Sequence, residues 1–241
     1  MTSGNSTVLE KPVPKAEVRL AALLAFDASY VESAPHPCWL VGVDEVGRGS
    51  AIGPVTASAV TFQYPMSDAL TRALVGLDDS KKIRPSLRQS LQGVIQHHAY
   101  WALGEATRDE VDALNVYQAS RLASSRAVTA LWERLQQEDP SRSVILLVDG
   151  NARLPEAWLP TVENGFTQHT VIKGDSHSAA IAAASVVAKE TRDAWVRAIS
   201  VDYPAYGWAS NMGYLTAAHR EALVQYGPTP WHRLNYKGVR S

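Results

Sequence analysis

Cysteine is nearly absent: Cys38 stands alone among 241 residues, which excludes an intrachain disulfide framework and suits a reducing compartment. No apolar run approaches the roughly 18 residues that a membrane span needs. The first residues contain no basic region leading into an apolar core and a small-residue cleavage site. Together these absences predict a cytoplasmic chain with no membrane partner. Net charge is missing as well, with 23 basic residues against 24 acidic ones, so the balance alone neither favours nor disfavours a polyanionic ligand. No internal repeat and no linker divides the chain, and one domain acting as a monomer is expected.

What is present is an ordinary apolar share, 46%, distributed in short runs. Residues 1–15 carry Ser, Thr, Asn and Pro without apolar periodicity and predict a mobile tail. Val18, Leu20, Leu23, Leu24 and Phe26 recur at near-helical spacing, so residues 16–38 are expected to form a helical lead-in to a domain spanning 39–241. Trp39 to Val43 and Pro54 to Phe62 read as two strands, antiparallel neighbours with glycines between them. Pro85 suits the first turn of a helix, Tyr100 to Ala106 reads as a third strand, and one long helix is expected from Asp109 to Gln137. Val144 to Val148 has the pattern of a central strand and Phe166 to Ile172 of a weaker one. Ser178 to Ile199 predicts a helix whose opening alanines let its backbone lie close to a neighbour. Strands first, then alternating helices and strands, indicate an α/β domain with a mixed sheet.

Charge is unevenly placed. Lys81, Lys82, Arg84 and Arg88 lie in a stretch without carboxylates, and Arg220, Arg233, Lys237 and Arg240 face only Glu221 near the end of the chain. Both stretches are candidates for phosphate contacts. The acids that matter sit at the ends of apolar runs. Asp44 and Glu45 end the first strand just before Gly47-Arg48-Gly49. Asp149 ends another strand before Gly150, and Asp175 follows Ile172-Lys173-Gly174. In a regular strand Asp44 and Glu45 point to opposite faces, so sharing a site requires a bend there. Asp175 alone would read as a helix N-cap. Carboxylates gathered in one place repel unless a cation lies between them, and oxygen ligands without a His or Cys cluster favour Mg²⁺ or Mn²⁺ over zinc.

Over roughly residues 40 to 235 the sequence resembles the ribonuclease HII family. The motifs that carry the resemblance occur in the family's order: the acidic strand with Gly47-Arg48-Gly49, Gly53-Pro54-Val55, Asp79-Ser80-Lys81-Lys82, Asn115, Asp149-Gly150-Asn151 and Lys173-Gly174-Asp175-Ser176. Ala182-Ala183-Ala184-Ser185, Ala188-Lys189, Arg192-Asp193, Asn211, Gly213-Tyr214, His219 and Gly227-Pro228-Thr229-Pro230 follow. The resemblance implies a ribonuclease H-like mixed sheet flanked by helices, with a C-terminal helical segment that binds substrate. It implies an endonuclease that hydrolyses the RNA strand of RNA–DNA hybrids and cuts 5′ to single ribonucleotides embedded in duplex DNA, using two Mg²⁺ or Mn²⁺ ions.

The family's four metal-site acids correspond to Asp44, Glu45, Asp149 and Asp175. Its ribose-reading loop corresponds to Gly47, Arg48 and Gly49, and its substrate tyrosine to Tyr214. Lys81, Asn115 and His219 are further substrate-contact candidates, with hydrogen-bonding or packing roles as alternatives, and Asp193 reads as a structural ion-pair partner. Ser50, where Pro is usual, and Met212, where Lys commonly stands, depart from the pattern, and the chain between Gly150 and Lys173 is longer than in shorter members. A ribonuclease HIII-like enzyme is one alternative, though the segment before Trp39 is short for that family's additional N-terminal domain. A non-catalytic nucleic-acid-binding module is another, but it would not need the four acids.

Overall fold

Five apolar segments pair into one sheet, because each strand but the edge ones buries both faces and must satisfy its backbone laterally. In the computed structural model, which describes residues 13–240, these are β1 (Cys38–Val46), β2 (Val55–Thr61), β3 (Tyr100–Ala106), β4 (Ser143–Asp149) and β5 (Phe166–Val171). The order across the sheet is β3-β2-β1-β4-β5. β1, β2 and β3 are antiparallel neighbours, whereas β4 runs parallel to β1 and β5 parallel to β4. This mixed sheet is the one expected, and its parallel half sends β1 and β4 toward the same edge. The expected tail lies, over residues 1–12, outside the described residues.

Helices cover both faces. On one lie α4 (Arg108–Leu114) and α5 (Val116–Glu138). On the other lie α1 (Lys15–Glu32), the short α2 (Asp68–Ala73), α3 (Pro85–His98, with its proline at the first helical position) and α6 (Ala179–Ser200). The short α7 (Trp208–Asn211) and α8 (Ala217–Tyr226) form the C-terminal helical segment around a third apolar cluster that includes Ile52, Tyr206 and Trp208.

The single long helix expected from Asp109 to Gln137 is two. Asn115 adopts φ 70°, which ends α4, and its carboxamide oxygen accepts from the amides of Tyr117 and Gln118 to start α5. Hydrophobic periodicity cannot reveal such a break, because apolar positions continue on either side of it. Asn115 is therefore a helix cap through its Oδ1.

Small residues decide how closely helix and sheet approach. The alanines opening α6 lie against Gly42 of β1, where a Cβ atom would fall 2.3 Å from the backbone of Ala180. A Cβ at Gly104 of β3 would fall 2.2 Å from the carbonyl oxygen of Ala123 in α5. α5 cannot retreat without opening the apolar cluster that contains Leu131 and Leu146, nor α6 without opening the one that contains Leu91, Ile95 and Val186. Gly104→Ala should therefore lower stability by roughly 1–3 kcal/mol through overpacking, read as a fall in the midpoint of chemical unfolding. An unchanged midpoint would mean that α5 is free to shift.

Candidate active site

Asp44, Glu45 and Asp149 come together because β1 and β4 are parallel and in register up to Val43 opposite Val148, so the acids that follow leave the same edge of the sheet. The bend expected at Asp44-Glu45 is not what unites them: β1 stays in register with β2 through Val46 opposite Thr56. The two acids instead point to opposite faces. Asp44 is buried and bonds Ser185 of α6, while Glu45 lines a cleft with Ser120 and Ser124 of α5 and with Asp149. Asp149, at the tip of the neighbouring strand, repels both.

Asp175 joins them from a loop. Lys173 takes a left-handed conformation (φ 55°), Gly174–Ser176 forms one 3-10 turn, and the Gly174 amide donates to Asp149 Oδ1 at 2.6 Å. Asp175 is not the cap of α6. That role belongs to Ser178, whose hydroxyl accepts from the Ile181 amide at 3.2 Å. Asp79, which the motif contained without an assigned role, hydrogen-bonds Asp175 and adds its repulsion.

The electrostatics follow. Burial, then Glu45 and Asp149, hold the Asp44 carboxyl well above the usual range. Burial raises Glu45 against the pull of Arg48, and burial followed by Asp79 and Asp149 raises Asp175. Lys81, exposed at the rim, loses some basicity to burial but is raised overall by Asp44, Asp79, Asp175 and Asp149. It is the ammonium group that these acids share.

Each of three acids has an oxygen turned onto a protein donor: Asp44 onto the Glu45 amide (2.7 Å), Glu45 onto Arg48 (3.0 Å) and Asp149 onto Gly174. In this arrangement no three acid, imidazole or thiol groups among the described residues stand close enough to enclose an ion. The donor chemistry nevertheless fits a hard divalent cation. The set is all oxygen, it is crowded enough to raise three carboxyls, and Glu45 is released by rotating a half-exposed arginine.

Beside the acids, Gly47-Arg48-Gly49 opens a loop whose carbonyls are all taken. Arg233, fully buried, donates to the carbonyls of Arg48, Ser50, Gly53 and Pro54. Arg192 donates to Ile52 and Pro54, the Tyr236 hydroxyl to Gly49, and the backbone amides of Ser50 and Arg233 to Gly47 and Ala51. With carbonyls 47–54 directed onto these donors, Gly47 (φ 91°) passes directly over the Arg192 guanidinium, where a Cβ would fall 2.4 Å from Nε. Sequence reasoning placed Arg233 among phosphate contacts. Its burial excludes that, and Arg88 is excluded likewise, being buried against Glu190 at 2.5 Å and against Ser80 O. Nothing in the sequence distinguishes a buried arginine from an exposed one unless its carbonyl partners are known.

Tyr214, half exposed, lies against this loop: a Cβ at Gly49 would sit 3.1 Å from its ring. The two family departures meet underneath, where the Ser50 hydroxyl donates to the Met212 carbonyl at 3.4 Å. His219 is fully buried and no substrate contact. Its Nδ1–H donates to the Tyr214 carbonyl (2.9 Å), and its Nε2 faces Trp208 Nε1 (3.1 Å) and His232 Nε2 (3.0 Å). Because His232 Nδ1 accepts from the Thr229 amide, its proton lies on Nε2 and both rings are neutral. Asp193 is the expected structural partner, paired with Lys189 at 2.8 Å and Arg88 at 3.7 Å.

A five-stranded sheet of this order, with acids at the shared edge of its parallel pair, is a ribonuclease H-like fold. The ribonuclease HII family profile matches residues 41–239. The ribonuclease HII of Magnetococcus marinus is 44% identical over 201 residues, 83% of this chain and 85% of that protein. That of Sphingopyxis alaskensis is 42% identical over 200 residues, covering 83% and 89%. In three dimensions the chain is similar to the ribonuclease H2 of Pyrococcus horikoshii (TM-score 0.67, 23% identity, 84% of this chain and 95% of that one). The chain belongs to the ribonuclease HII family, whose members are metal-dependent endoribonucleases.

The histidine pair generates a pH dependence. Burial and the adjacent His219 push His232 down to about 4, below its ordinary 6.5. Its contribution is then complete above pH 6.5 and declines as pH falls toward 4, by up to roughly 3 kcal/mol, because only the unfolded chain takes up the proton over that window. Thermal midpoints measured across this range should fall more steeply for the wild type than for His232→Gln. Parallel curves would remove His232 as the source.

Proposed function

We propose that Asp44, Glu45, Asp149 and Asp175 hold Mg²⁺ or Mn²⁺, two ions when substrate is bound, and that the protein cuts the ribonucleotide strand of RNA–DNA hybrids and of duplex DNA containing embedded ribonucleotides. The observation that carries this reading is the gathering of these acids at one edge of the sheet, beside the Gly47–Gly49 loop against which Tyr214 packs. When bound, the ions supply a water activated for attack and a counter-charge for the leaving 3′ oxygen. The chain's own groups do the rest. Lys81, at the rim of the acids, is placed to take a non-bridging phosphate oxygen.

The loop, its carbonyls held inward by Arg192, Arg233 and Tyr236, offers backbone amides to the ribose 2′-hydroxyl at a distance that a side chain would obstruct. The Tyr214 ring, against Gly49, packs on the next sugar and favours one without a 2′-hydroxyl, which would lose water there without gaining a partner. Embedded-ribonucleotide repair and primer removal in the cytoplasm, by a monomer, are the roles this activity suits. Among the described residues no helix is long and apolar enough to cross a membrane.

Asp149→Asn should abolish cleavage while hybrid binding is kept or slightly strengthened, since an ion ligand and a charge repelling phosphate are lost together. Near-normal turnover would remove Asp149 from the ion site. Tyr214→Ala should cost roughly tenfold more in kcat/KM on a duplex with one ribonucleotide than on a continuous hybrid, the worth of a ring contact of about 1.4 kcal/mol. Equal losses on both substrates, accompanied by a lower melting temperature, would reduce Tyr214 to a supporting role.

A further inference from the structure

Helix α1 lies outside the segment that matches the family, yet it grips the loop that carries Asp175 at successive points. Arg19, Leu23 and Asp27 are spaced four residues apart and share one helix face. At one end of this stripe, Arg19 Nη2 donates to the Ser176 carbonyl at 2.8 Å and to Asp78 Oδ1 at 2.7 Å. Asp78 directly precedes Asp79, the carboxylate bonded to Asp175, so one guanidinium ties together the two loops that meet at the acids. Lys82 reinforces the same seam by donating to Ser176 Oγ at 3.0 Å.

At the other end, Asp27 is fully buried, and its Oδ2 accepts from the Ala180 amide at 2.9 Å and from the Tyr64 hydroxyl at 2.7 Å. Between these ends, Phe26 lies against His177, ring centroids 6.1 Å apart. Residues 176, 177 and 180 are thus each met by α1. The polarity is complementary throughout: a cation meets the carbonyl that follows Asp175, and an anion meets the free amides where α6 begins. Leu23, buried between the charged residues, fixes the helix so that neither group has to search for its partner.

We propose that α1 is a splint for the active site, with Arg19 and Asp27 as positioning residues that hold the Asp175 loop where its carboxylate completes the ion site. The inference rests on Asp175 being an ion ligand, and the test separates the two. Mn²⁺ is titrated calorimetrically into the full chain as wild type, Arg19→Gln, Arg19→Lys, Asp78→Asn and Asp175→Asn, with thermal unfolding recorded for each.

Arg19→Gln should weaken Mn²⁺ binding roughly tenfold, the usual effect of removing a group that orients a metal ligand, without a comparable loss of thermal stability. Arg19→Lys should recover part of the affinity. Asp78→Asn should shift affinity in the same direction while leaving α1 intact, which preserves the test if Arg19→Gln does not fold. Wild-type affinity in a folded Arg19→Gln or Asp78→Asn protein would overturn the splint. Wild-type affinity in Asp175→Asn would instead overturn the assignment of Asp175 as a ligand, and the splint with it.

Discussion

Carboxylates that would scatter in water are held together at one edge of the sheet, and the surrounding structure accommodates their repulsion. Two come from β1 and one from β4, and parallel pairing leaves the chain no choice but to release them side by side. The fourth arrives on a turn whose amide is bonded to the third. Burial, together with neighbouring acids, raises three of these groups. Around them the protein places partial remedies: Lys81 at the rim, Arg48 on Glu45, a hydroxyl from Ser185 on Asp44. None is a full counter-charge within the cluster, and a divalent cation is the species that would relieve the strain most completely.

The loop from Gly47 to Pro54, next to the acids, inverts this arrangement. There, buried cations meet carbonyl dipoles. Arg233 and Arg192 each bond backbone oxygens of the loop, and burial lowers both, to about 9 and about 10. A loop whose carbonyls are committed to such partners has its peptide planes fixed in advance, which would spare the cost of ordering it if it binds a ligand. The Tyr214 turn is fixed by the same economy of means, through the His219–His232 pair below it and Gly49 beside it. The crowded acids and the braced loop beside them therefore lie within one continuous scaffold.

Much of this was legible in the sequence, for identifiable reasons. The strands were short apolar runs bounded by Gly, Pro or charge, and each acid stood where such a run ended. The five strands and the small-residue face of α6 therefore appear as expected. What escaped depends on contacts between distant segments. Asn115 breaks a helix without breaking its apolar pattern, and Arg88 and Arg233 look like surface charge until their partners across the fold are known. His219 could be read as a substrate contact or as a support, and its burial and its bond to the Tyr214 carbonyl decide for the support. The rule that neighbouring strand residues point apart held for Asp44 and Glu45, but the expected bend is absent, because β1 keeps its register with β2 through Val46, and it is Asp149 on the next strand that lies near both. The contacts of α1 with the Asp175 loop could not be foreseen at all, since they join residues more than 150 positions apart.

The measurement that bears most directly on this account is the mapping of cleavage ends on a DNA duplex with one embedded ribonucleotide, with and without Mg²⁺ or Mn²⁺. If the four acids serve a metal-activated water and the Gly47–Gly49 loop reads the 2′-hydroxyl, the cut falls on the 5′ side of the ribonucleotide. It then leaves a 3′-hydroxyl on the DNA fragment and a 5′-phosphate on the ribonucleotide, and it requires the divalent ion. A cut on the 3′ side ending in a 2′,3′-cyclic phosphate, or cleavage that persists without the ion, would contradict it.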